Sequence, residues 1–76
     1  MSLAELKTSA EQVAAELQSA ATPLPPELRA RFIAVRGELF ERGIYDPVLV
    51  RFDSATVPHA PVEKIAEQLA AVAAAL

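Results

Sequence analysis

The sequence predicts an all-α fold: a small helical bundle of three longer helices, at about residues 2–20, 25–42 and 61–76, and one short helix at about 46–53, in a single domain spanning 1–76. Two observations carry this. Apolar residues recur at alternating steps of three and four along three segments, the spacing that places them on one face of a helix. Between those segments stand prolines and a glycine, residues that end one helix and open the next.

The first stripe is Leu3, Leu6, Ala10, Val13, Leu17 and Ala20, with Glu5, Glu11, Gln12, Glu16 and Ser19 opposite. Ser2 followed by Glu5 reads as a capping box, each side chain satisfying a free backbone N–H of the other residue. The segment ATPLPPE, residues 21–27, ends this helix, because prolines lack a backbone donor and hold the preceding residue in extended geometry. It also starts the second: Pro25 or Pro26 suits a first turn, and Glu27 there favours the helix dipole.

The second helix has two apolar faces. Leu28, Phe32, Val35 and Leu39 form one; Ala30, Ile33, Gly37 and Phe40, with Ala34 beside them, form the other. A helix apolar on two sides is expected between two neighbours, which makes this one the centre of the bundle. Gly37 costs roughly 1 kcal/mol relative to alanine inside a helix, so its presence predicts close approach by another backbone. The neighbours are either the first and last helices or a second subunit. Gly43 is placed to cap the helix in the left-handed conformation, with Arg42 complementing the dipole.

Two periodicities compete from Ile44 onward. Val48, Val50 and Phe52 alternate with Leu49, Arg51 and Asp53 as a strand would, whereas Ile44, Val48 and Phe52 line one face of a helix. Asp46–Pro47, an acidic N-cap before a proline at the first helical position, favours the helix. A strand here would leave its backbone unpaired unless a dimer supplied the partner. SATVPHAP, residues 54–61, is then a connector stiffened by Pro58 and Pro61, and the last helix carries the stripe Val62, Ile65, Leu69, Val72 and Leu76. Its outer side has Glu63, Lys64 and Glu67, then only Ala71, Ala74 and Ala75.

A chain of 76 residues without cysteine has no disulfide, thiolate or iron–sulfur chemistry available. At this length the core is marginal and partner subunits are a common support. A net charge of −3 provides no broad basic field for nucleic acid or anionic membrane. The amino terminus lacks an apolar run of signal-peptide length, and LAAVAAAL at the carboxyl end is too short to span a bilayer, so the cytoplasm is the expected location.

No catalytic, cofactor or metal residues are assigned. Asp46, Asp53, His59 and Glu63 match no ligand spacing, and His59 beside Ser54 or Thr56 lacks an orienting group and an oxyanion pocket. Tyr45 is expected at the edge of the core. Arg29, Arg31, Arg36 and Arg42 are the candidates for phosphate contact, opposed by Glu27, Glu38 and Glu41, with Glu27–Arg31 and Glu38–Arg42 spaced for ion pairs. The expected function is a small non-enzymatic protein–protein interaction module that self-associates as a homodimer. Its interface is built from Ile33, Gly37 and Phe40 or from Ala71, Ala74 and Ala75. The competing readings are a small enzyme or ligand-binding protein using the corner of Tyr45, Arg51, Asp53 and His59, and a DNA-binding accessory using Arg29 and Arg36.

Overall fold

The computed structural model describes residues 2–21, 23–53, 56 and 59–76. Along the chain run α1 (Leu3–Gln18), α2 (Pro26–Glu41), α3 (Pro47–Arg51) and α4 (Val62–Ala75). There is no strand among the described residues, so the segment after Ile44 takes its helical alternative. Ser54, Val57 and Pro58 of the connector lie outside the described residues.

The helices begin and end where their local chemistry dictates. Ser2 Oγ accepts from the Glu5 N–H at 3.2 Å while a Glu5 carboxylate oxygen accepts from the Ser2 N–H at 3.3 Å, completing the capping box. Asp46 caps α3 by accepting from the N–H groups of Val48 and Leu49. At the end of α2, Gly43 sits at φ +78°, and the N–H groups of Gly43 and Ile44 return to the carbonyls of Phe40 and Leu39. That pair of bonds is a Schellman motif, and a Cβ at Gly43 would strain it.

Packing corrects one expectation about order: α1, not α2, is the central helix. It packs most extensively on α4 and next on α2, while α3 rests on α4. The reason lies in alanines that the pattern of large residues understated. Ala10 and Ala14 of α1 and Ala66 and Ala73 of α4 are as buried as the leucines between them, and small residues let two helices approach closely. The core is completed by Leu28, Phe32, Val35 and Leu39 from α2, by Leu49 from α3, and by Leu24 and Ala60, which pin the two connectors. Leu3, the first member of the α1 stripe, is instead 49% exposed, one turn beyond the end of the core.

The radius of gyration is 11.0 Å, against about 11.4 Å expected of a compact chain this long. No charged or polar side chain is buried among the described residues. A single copy therefore closes its own core. No helix among the described residues is long and apolar enough to cross a membrane.

Candidate interaction face

Because α2 turns Leu28, Phe32, Val35 and Leu39 inward, the residues half a turn away project to solvent. Pro26, Ala30, Ala34, Gly37 and Glu41 are exposed, and Ile33 and Phe40, on the flank of that face, are half-buried. The expectation that both sides of α2 are covered within the chain fails, and no other part of the chain approaches Gly37 closely. A Cβ built there meets nothing within 4 Å. Periodicity could not distinguish a second buried face from an apolar one left at the surface. The face between Pro26 and Glu41 thus carries no charge at its centre, where a solvated helix ordinarily places lysine or glutamate.

The two halves of this face differ in relief. Toward the start of α2, Pro26, Arg29, Ala30, Ile33 and Ala34 line a shallow groove of about 480 Å³. Toward its end, Phe40 and Tyr45 form an aromatic pair with ring centroids 5.3 Å apart. Phe40 is half-buried and lies outside the main hydrophobic cluster, and Tyr45 is 65% exposed, so the pair lies at the surface. The expectation for Tyr45 at the core's edge is corrected to this extent: it leans on another surface ring.

Arg36 fixes that pair to the rest of the protein. Its guanidinium carbon stands 4.4 Å from the Phe40 ring centroid. Nε and Nη2 donate to the carbonyls of Leu49 and Val50 at 2.8 and 2.9 Å. The planar fork of arginine meets two carbonyls at the end of α3 and a ring face at once, which a lysine ammonium does not reproduce. Sequence reasoning offered Arg36 as a phosphate contact; the structure gives it this role. No local pattern signals a bond between residues thirteen and fourteen positions apart.

Of the other cations on α2, Arg31 pairs with Glu16 of α1 at 2.5 Å. The bond lowers the Glu16 carboxyl below its usual value and raises the guanidinium, to which Glu27 adds a weaker charge. The spacing-based pairing of Arg31 with Glu27 is therefore secondary to a contact between helices. Arg29 is half-buried; its backbone N–H donates to the Pro25 carbonyl at 3.0 Å, and its guanidinium makes no hydrogen bond or ion pair among the described residues.

Tyr45 before α3 and Arg51, Asp53 and His59 at the corner between α3 and α4 are all exposed. Asp53 closes a turn: its carboxylate accepts from the Thr56 N–H at 3.1 Å, and its own N–H donates to Thr56 Oγ1 at 3.0 Å. No group of three or more His, Cys, Asp or Glu able to hold a metal ion exists among the described residues. Ser54, weighed as a nucleophile, lies outside those residues. Ala71, Ala74 and Ala75 are exposed on α4, as the sequence pattern implies.

The chain matches no family model, no curated protein and no solved structure in the three comparisons made.

Proposed function

We propose that this protein is a small helical interaction module that self-associates through the outer face of α2. The observation that supports this reading best is the uncharged strip of exposed Ala30, Ala34 and Gly37, flanked by half-buried Ile33 and by the Phe40–Tyr45 pair. Small residues on such a strip admit a second helix at short distance, and tyrosine and phenylalanine are enriched at interface centres. Gly37 lowers helix propensity without any contact within the chain to account for it. A helix of 16 residues offers a contact about 24 Å long, which belongs to a weak and concentration-dependent dimer.

Light scattering across a concentration series tests this. Wild type should pass from monomer to dimer by high micromolar concentration. Gly37→Leu and Ala34→Glu alter exposed positions and should remain folded monomers throughout. A wild type that stays monomeric at high micromolar concentration overturns the reading, and a dimer untouched by both variants moves the interface off α2, with the alanine face of α4 next in line.

A further inference from the structure

We propose that α3 is a strap over one side of the core, latched to α4 at its start and to α2 at its end, which opens as a unit while α1, α2 and α4 stay packed. The main helix contacts are those of α1 with α4, α1 with α2 and α3 with α4; among the described residues α2 and α4 have no comparable contact of their own. The short helix reaches both. At its start the Gln68 amide of α4 donates to one Asp46 carboxylate oxygen, while the other oxygen accepts from the N–H groups of Val48 and Leu49. At its end Arg36 of α2 donates to the carbonyls of Leu49 and Val50.

Little else holds α3 in place. A helix of five residues has barely met the cost of nucleation and gains almost nothing from its own hydrogen bonds. Leu49 is its single buried side chain, against five on α1, four on α2 and five on α4. Ile44 and Phe52, on either side of it, are half-buried against the same core, while Pro47, Val50 and Arg51 are exposed. Segments with so few buried apolar contacts open at a lower free energy than the elements around them. Gly43, at φ +78° where α2 ends, supplies a backbone that can turn as the strap swings. Because α3 is little longer than one turn, losing either latch loosens all of it. Opening withdraws Leu49 and uncovers the core beneath it.

Native-state hydrogen exchange at low urea, under conditions where closing outpaces exchange, tests this. In the wild type the amides of Val48, Leu49, Val50 and Phe52 should share one opening. It should be at least about tenfold more frequent than that of the slowest amides of α1 and α4, with a shallower urea dependence because less surface is exposed. Each latch is then read at the end it does not touch. Arg36→Ala should speed exchange of the Val48 amide, bonded to Asp46 at the opposite end, by about fivefold to thirtyfold. Gln68→Ala should speed the Val50 and Phe52 amides severalfold. Arg36→Lys gives the same reading with a smaller change if the alanine variant does not fold. Amides of α3 that exchange at the rate and urea slope of those in α1 and α4 would mean that α3 opens only with the whole chain, and would overturn the proposal. Effects confined to the end nearest each substitution would reduce the motion to fraying and overturn it as well.

Discussion

Asp46 and Gln68, twenty-two residues apart, are joined by a hydrogen bond in which the Gln68 amide donates to one carboxylate oxygen while the other oxygen caps α3. One side chain thus fixes where α3 starts and where it sits on α4. Asp46→Ala should cost about 0.5–2 kcal/mol, the usual range for losing an N-cap. Asp46→Asn, which keeps the cap, should cost less. Gln68→Ala should cost less than Asp46→Ala, and the double variant should fall short of the sum of the two, since both remove the same bond. Urea unfolding of the four variants measures this; strictly additive losses would mean that the bond between the helices contributes nothing.

Arg36, unlike Asp46, should not tolerate a conservative change. Loss of two charge-assisted bonds at a partly exposed site should destabilise Arg36→Ala by about 1–2 kcal/mol. Arg36→Lys should recover less than half, because an ammonium cannot bind both carbonyls and stack on Phe40. Chemical denaturation decides it, and full recovery by lysine would reduce the role of Arg36 to bare charge.

The two glycines should respond with opposite signs in the monomer. Gly37→Ala fills open space inside a helix and should stabilise by about 0.5–1 kcal/mol. Gly43→Ala forces a Cβ into the left-handed conformation and should destabilise by about 1 kcal/mol. For a domain this small about 1 kcal/mol corresponds to about 4–8 °C in Tm, so both changes are measurable by calorimetry at a concentration where the protein is monomeric.

Acid should remove two contributions to stability. The Ser2 side chain lowers the Glu5 carboxyl and the Arg31 guanidinium lowers the Glu16 carboxyl, both from an ordinary value of 4.5. A carboxyl with a lowered folded pKa stabilises fully above its unfolded value, and the gain disappears as pH falls through the folded one. Both groups are exposed, so each effect is small and the Glu16–Arg31 part is weakened by salt. Unfolding followed from about pH 6 to about pH 3 should show a shallower loss in Glu5→Gln/Glu16→Gln than in wild type; parallel curves would count against both interactions.

Much of the fold was legible because it is written in local interactions. The capping box at Ser2 and Glu5, the Asp46–Pro47 start and the left-handed cap at Gly43 each depend on residues within a few positions, so spacing alone places them. The large apolar residues of α1 and α4 showed which faces turn inward, since a leucine in water loses far more than a leucine in a core.

What the tertiary structure decided is how those elements meet, and above all the fate of the alanines. Alanine contributes little whether buried or exposed, so periodicity carries almost no information about it. Ala10, Ala14, Ala66 and Ala73 are buried in the core, whereas Ala30, Ala34, Ala71, Ala74 and Ala75 face solvent. That division makes α1 central, leaves the outer strip of α2 bare, and brings Arg36 to the end of α3 across a separation no sequence pattern spans. The local chemistry of the sequence determines the helices and their ends; contacts between residues far apart in the chain determine which of their faces are left exposed.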